Sequence, residues 1–232
     1  MRISAFFPAY NEEANIVPLA EKTSKVLSGI CEDYEVIIVN DGSKDRTAEV
    51  SAELAKRDGH VRVINHEKNT GYGGAVKTGL NSGKFEWVFF TDGDGQFDVA
   101  EIPLLTAMTD KFDLIVGYRI KRADPFHRKL NALMWGTMVK MLFRFWVKDV
   151  DCAFKLMRKE IIDRAKVESE GALISTELLA KAVKLGYKVG EVGVHHYPRR
   201  AGTQTGAKLN VILKAFVELF KLYGKIQKWG KS

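Results

Sequence analysis

Four short apolar runs, Ile3–Phe7, Val36–Asn40, Val61–Asn65 and Trp87–Thr91, are too brief for helices, and helical patterns separate them. Glu12–Ser28 carries Ile16, Leu19, Ala20, Val26 and Leu27 at roughly helical spacing. Asp45–Arg57 carries Ala48, Val50, Ala52, Leu54 and Ala55 after a Ser43/Asp45 start signal. A third helix is predicted to follow Asn69-Thr70-Gly71-Tyr72-Gly73-Gly74-Ala75 and to run to about Leu80. Strands alternating with helices imply parallel pairing and right-handed crossovers, hence an α/β fold with an open, mostly parallel sheet flanked by helices. Pro8 is expected to end the first strand and Asn11 to cap the helix after it. Leu114–Gly117 reads as a further strand. Beyond it the rhythm changes to a basic loop, an apolar stretch at Leu130–Trp146, a helix near Ser175–Leu185 and a strand near Val189–Val194.

The composition fits this picture: 232 residues, 46% apolar and 28% charged, are enough for one sizeable core. No internal repeat or Pro/Gly-rich linker interrupts the chain, so one domain is expected over residues 1–206, with an amphipathic helix over 207–232. On a helical wheel Lys214, Lys221, Lys225 and Lys228 oppose Ile212, Phe216, Leu219, Phe220 and Tyr223. That pattern suits an anionic membrane surface, and equally a terminal helix packed on the core with a solvated lysine face. Leu130–Trp146 is apolar around most of its circumference, which implies burial in protein or contact with lipid. Cys31 and Cys152 are far apart, Arg2–Glu12 contains no long apolar leader, and no stretch reaches about 18 uncharged apolar residues. The expectation is a cytoplasmic protein, neither secreted nor spanning a bilayer, whose attachment to a membrane would be peripheral. The oligomeric state is left open.

Candidate chemistry sits at the ends of the predicted strands. Val39-Asn40-Asp41-Gly42-Ser43 and Thr91-Asp92-Gly93-Asp94-Gly95-Gln96 place carboxylates where an open parallel sheet binds its ligand. Asp92 and Asp94 can share one hard divalent cation, Mg²⁺ or Mn²⁺, with a diphosphate, and Gln96 adds a neutral oxygen. Asp41 can accept hydrogen bonds from a nucleobase or ribose. Gly71 and Gly73 allow close backbone approach beside a helix start that offers N–H groups to phosphate. The segment Arg119–Lys129 is basic, as is the chain as a whole with a net charge of +7, and it fits an anionic partner or a solvated loop. No nucleic-acid module accompanies that charge, which disfavours a nucleic-acid partner.

These motifs resemble those of the inverting family 2 glycosyltransferases of the GT-A fold, and in particular the polyprenyl-phosphate sugar transferases typified by dolichyl-phosphate mannose synthase. Pro8, Tyr10 and Glu12 match the family's opening nucleotide motif, Asp41 its second-strand Asp, and Asp92, Asp94 and Gln96 its D-x-D-x-Q element. Gly117-Tyr118-Arg119 resembles its G-x-R element. Asp151-Cys152-Ala153-Phe154-Lys155 resembles its D-x-x-G-F-[RK] block, with Ala153 where Gly is usual. Arg199, Arg200, Gly202 and Thr205 resemble its diphosphate-covering loop. The resemblance implies transfer of a sugar, with inversion, from a nucleoside-diphosphate sugar to dolichyl or undecaprenyl phosphate at the cytoplasmic membrane face. It implies that Asp94, Asp151, Arg119 and Arg128 act in catalysis, with the two arginines on the acceptor phosphate and Arg200 over the donor. Two other readings stay open: a soluble family 2 enzyme with a hydroxyl acceptor and Asp151 as base, and a non-catalytic nucleotide- or nucleic-acid-binding protein.

Overall fold

The computed structural model describes residues 1–120, 126–169, 171, 173–199 and 209–229, with side chains at all of these except 126–133 and 209–216. In chain order the elements are β1 (Arg2–Ala9), α1 (Ile16–Ser28), β2 (Asp33–Asn40), α2 (Thr47–Arg57), β3 (Val61–Asn65), α3 (Tyr72–Ser82), β4 (Trp87–Thr91), α4 (Ile102–Thr106), β5 (Leu114–Arg119), α5 (Phe126–Phe143), β6 (Phe154–Arg158), α6 (Lys159–Ala165), α7 (Ile174–Lys184), β7 (Val189–Val194) and α8 (Leu209–Lys228). The strands form a single sheet in the order β3-β2-β1-β4-β6-β5-β7. All neighbours are parallel except β6, which runs antiparallel to both β4 and β5.

The chain leaves β1 toward β2 and β3, then returns to place β4 on the other side of β1. This reversal opens a crevice beyond the carboxyl ends of β1 and β4, the usual ligand position in such sheets. The central strands are buried on both faces, which is why they read as unbroken apolar runs. Phe6 of β1 stacks on Phe90 of β4 with centroids 5.3 Å apart, fixing the two strands that border the crevice.

Two local expectations are corrected. Pro8 does not end β1: it stays in register opposite Val39 of β2. The Asp41 N–H donates to the Ala9 carbonyl, so Ala9 faces β2 and Pro8, one residue back, faces the β4 side. There the pairing with β4 has already ended at Phe6, so no ladder bond is missed for want of an N–H. Asn11 is not the cap of α1, which begins at Ile16 after Asn15. Asn11 instead adopts φ 56°, and its side chain accepts from the Lys44 N–H at 2.8 Å. That bond ties the loop after β1 to the loop after β2.

The apolar stretch around Leu130–Trp146 is largely α5, which ends at Phe143. Helix α8 joins the same hydrophobic core through Leu219, Leu222 and Ile226, and Tyr223 packs edge-on against Phe143 of α5 at 5.7 Å. Among the described residues no helix is long and apolar enough to cross a membrane. The expected boundary between 206 and 207 lies outside the described residues.

Candidate active site

A cavity of about 670 Å³ opens at the crevice, lined by Pro8, Tyr10, Glu12, Asp41, Gly71, Tyr72, Asp92, Asp94 and Arg199 among others. Its volume falls within the roughly 300–1,000 Å³ of small-molecule sites. The loop after β1 is laced to its neighbour: the Asn11 N–H donates to Ser43 Oγ at 3.0 Å and the Glu12 N–H to Thr47 Oγ1 at 2.8 Å. Glu12 is buried, and burial raises its pKa despite the opposing Asn15 amide and the Arg199 guanidinium, with which it forms an ion pair.

Asp92 follows directly on the buried β4, and its Oδ1 is shielded from solvent without a hydrogen-bond partner. Burial first, and the neighbouring charge of Asp94 second, push its pKa up to about 7, against the Tyr72 hydroxyl and the positive charges of Lys155 and Arg119. A buried carboxylate oxygen with no donor is costly. A divalent cation would satisfy it, so the residues present fit the metal implied by the sequence. Among the described residues no group of three or more His, Cys, Asp or Glu is placed to hold a metal ion by itself, so other oxygen ligands, such as those of a diphosphate, would have to complete the coordination. The loop geometry depends on Gly93, where a Cβ would lie 2.7 Å from the Pro8 carbonyl oxygen.

Asp41 is also buried, and its oxygens face different donors. Oδ1 accepts from the Thr70 N–H at 2.9 Å, Thr70 Oγ1 at 2.7 Å and His66 Nδ1 at 2.7 Å, while Oδ2 accepts from the Gly71 N–H at 2.9 Å. Burial alone would raise its pKa, but the bonds from His66 and Thr70 hold it below the usual carboxylate value. Asp41 therefore organises the glycine-rich turn. Gly71 has φ 82°, in the region that favours glycine, and precedes α3, in which Gly73 is buried in the first turn.

The remaining predicted site residues are distributed around this centre. Gln96 lies outside the cavity lining, with its Nε2 donating to the Tyr197 carbonyl at 2.8 Å and its own carbonyl accepting from the Tyr197 N–H at 2.8 Å. With the Phe97–His196 bridge and the bond from the His195 N–H to Glu101 Oε2, these contacts anchor the segment after β7 that delivers Arg199 to the cavity. Arg119 ends β5 in a two-point pair with Asp149, Nε to Oδ2 at 2.6 Å and Nη2 to Oδ1 at 2.9 Å. Asp151 is exposed and does not line the cavity. The Arg128 side chain and all of Arg200, Gly202 and Thr205 lie outside the described residues.

Sequence reasoning missed Asp149 and the placement of Lys155. The signal for Asp149 was present, a second carboxylate two residues before Asp151 on one loop. Lys155 is fully buried in β6 and donates to the Cys152 carbonyl and to Ser175 Oγ at 3.3 Å. Burial lowers its pKa, against the pull of the negative groups around it, which include Asp151, Asp149 and Asp92.

An open, mostly parallel sheet with paired carboxylates at its switch point and a glycine-capped helix start beside them has the architecture of the GT-A fold. The sequence profile described as glycosyl transferase family 2 matches residues 4–165, and the chain belongs to that family. It is 27% identical over 206 residues to the dodecaprenyl-phosphate galacturonate synthase of Rhizobium johnstonii, covering 87% of this chain and 61% of that one. It is 32% identical over 164 residues to the undecaprenyl-phosphate 4-deoxy-4-formamido-L-arabinose transferase of Proteus mirabilis, covering 70% of this chain and 50% of that one. The chain thus spans between half and about three-fifths of the length of these relatives. Among solved structures, glucosyl-3-phosphoglycerate synthase from Mycobacterium tuberculosis in complex with Mn²⁺ and uridine-diphosphate-glucose shares the fold, with TM-score 0.71 and 19% identity over 96% of this chain and 79% of that one.

Proposed function

We propose that this chain transfers a glycosyl group, with inversion, from a nucleoside-diphosphate sugar to the phosphate of a polyprenyl carrier. The observation that carries the reading is the partnerless buried Oδ1 of Asp92, beside Asp94 and on the wall of a ligand-sized cavity. Names of relatives add the acceptor class, since both curated relatives above act on polyprenyl phosphates.

Asp92 and Asp94 would hold a divalent cation, which when bound supplies positive charge against the departing diphosphate. Asp41 is acceptor-only when ionised, so it suits a nucleoside N–H or ribose O–H. Tyr10 and Pro8 line the nucleoside side, while the start of α3 at Gly71 and Gly73 suits phosphate oxygens. Gln96 serves by anchoring the Tyr197 segment, and Arg199, with Arg200 next to it in sequence, would cover the donor. An acceptor phosphate with a second pKa near 6 is largely ionised at neutrality, so no strong base is required and Asp151 is not needed in that role. Arg119 and Arg128 belong to the acceptor side, with Asp149 fixing the Arg119 fork.

Reaching a lipid-borne phosphate requires a membrane face. Met134 and Met141 of α5, Trp146 just after it, and Val217 and Phe220 of α8 are exposed, and Lys221, Lys225 and Lys228 share the outer side of α8. These groups suit peripheral attachment to an anionic bilayer at its cytoplasmic face.

The deciding experiment is a donor-by-acceptor screen with metal controls. Label should pass from one nucleoside-diphosphate sugar to polyprenyl phosphate, stop on chelation and return with Mg²⁺ or Mn²⁺. D94A should lower kcat about a hundredfold or more while the protein stays folded. Full turnover in excess chelator would reject the metal role, and transfer to a hydroxyl acceptor alone would reject the lipid-phosphate reading.

A further inference from the structure

His66 lies at the end of β3, outside the cavity lining, yet both its ring nitrogens are engaged. Nδ1 is 2.7 Å from Asp41 Oδ1 and Nε2 is 2.9 Å from Thr78 Oγ1 of α3. Its backbone N–H donates to the Asn40 carbonyl at 2.9 Å, so the backbone beneath the ring is fixed to the end of β2. An ionised Asp41 only accepts, so Nδ1 carries the proton. The Thr78 hydroxyl can donate to a neutral Nε2 or accept from a protonated one, so the ring stays clamped in either charge state.

We propose that His66 is a positioning residue for donor recognition, clamping Asp41 to α3 so that one defined carboxylate oxygen is presented to the nucleoside. The inference rests on the donor reading above. Three donors crowd Oδ1, whereas Oδ2 has one, the Gly71 N–H, and keeps the remaining acceptor capacity. The clamp also connects both ends of the donor site. Thr78 and Tyr72 lie on the same helix, and the Tyr72 hydroxyl interacts with Asp92. Without the ring, Asp41 loses a donor from its crowded oxygen and α3 loses a brace against β2. A nucleoside must then select one orientation of the carboxylate from several, which weakens binding without touching the reacting atoms.

The test titrates UDP and GDP, each with Mg²⁺, into wild type and into H66A, H66N and T78V, with Mg²⁺-pyrophosphate as a probe that lacks a nucleoside. Loss of one bond to a charged group predicts about tenfold weaker binding by H66A of whichever nucleotide wild type prefers. Asn places an amide nitrogen at the Nδ1 position, so H66N should recover to within about threefold of wild type. T78V keeps the Nδ1 bond and loses only the Nε2 one, as H66N also does, so it should show a similar loss of up to about threefold. Pyrophosphate affinity, acceptor KM and kcat should all stay within about twofold of wild type.

Nucleotide binding by H66A equal to wild type overturns the proposal. So does an equal loss for pyrophosphate, which would make His66 a support of the glycine-rich turn rather than of Asp41. If H66A fails to fold, H66N and T78V decide: a nucleotide loss of similar size in both, with pyrophosphate affinity unchanged, supports the clamp, and any other pattern rejects it. Wild type that binds pyrophosphate but neither nucleotide would instead sink the donor reading itself.

Discussion

At the scale of single residues, the site is built from groups that would be unfavourable elsewhere. Gly93 has the Pro8 carbonyl where a Cβ would sit, and backbone cannot yield as a flexible side chain does. G93A should therefore displace the Asp92–Asp94 loop, lowering kcat/KM tenfold or more while costing about 1–3 kcal/mol of stability. Steady-state kinetics beside a denaturant melt separates the two effects, and wild-type kcat/KM in G93A would refute the close approach. Glu35 is a second case, buried beneath the opposite end of the sheet. Burial alone would raise its pKa, but Arg62, Ser4 Oγ and the Lys84 N–H hold it below the ordinary value. A depressed folded pKa means that its stabilisation is present above the unfolded value of about 4.3 and disappears as pH falls through the folded pKa. E35Q should be less stable than wild type by about 1–3 kcal/mol at pH 7, and the gap should close below pH 4. Equal stability at pH 7 would show that the carboxylate contributes nothing.

At the scale of elements, apolar runs marked where strands lie better than how far they extend. The buried β4 and the partly buried edge strands β3 and β7 were bounded as they occur, whereas β1 and β2 run beyond the apolar segments that announced them, because backbone pairing continues through Arg2, Pro8, Ala9, Asp33, Tyr34 and Glu35. Strand β6 was not recognised, because Lys155 and Arg158 interrupt its apolar pattern, and only the fold shows that Lys155 is buried among the loops of the site. Helices α4 and α6, of five and seven residues, are too short for a periodic signal. Asp41, Asp92 and Asp94 were legible because strand ends meet the crevice. The engagement of Gln96 was not, since its partner Tyr197 is 101 residues away. A lone histidine such as His66 likewise carries no sequence signal. Long-range capping is equally invisible: Lys184 of α7 donates to the Ile226 carbonyl and to the Trp229 carbonyl at 2.6 Å, closing the end of α8. A cation there satisfies orphan carbonyls and complements the helix dipole. K184A should cost about 0.5–2 kcal/mol, with amide exchange quickening at residues 226–229 more than in β1 or β4. Uniform acceleration across the sheet would mean that Lys184 supports the global fold instead.

At the scale of the whole molecule, α8 divides its faces between two tasks. Leu219, Leu222 and Ile226 are buried in the core, so the apolar side of its described C-terminal half is consumed by folding. Among its described side chains, those facing outward include Val217 and Phe220 near the middle and Lys221, Lys225 and Lys228 beyond them. Helix α5 packs against α8 through Phe143 and Tyr223, and it leaves Met134 and Met141 exposed, with Trp146 79% exposed just after its end. An indole so placed, three residues before Asp149 and its Arg119 partner, suits the headgroup boundary and would bring a lipid phosphate toward that pair. Each basic residue near an anionic surface contributes on the order of 1 kcal/mol, so changing Lys221, Lys225 and Lys228 together to Gln should weaken vesicle binding roughly a hundredfold. High salt should release wild type in the same way, because the attraction is screened within a Debye length. These lysines lie outside the core, so the variant should melt as wild type does, whereas deleting α8 would remove core side chains and confuse the two effects. W146S should reduce binding to anionic and neutral vesicles alike, separating apolar insertion from charge. If the folded triple-Gln variant cosediments with anionic vesicles as fully as wild type, the basic face of α8 has no membrane role and the helix serves the core alone.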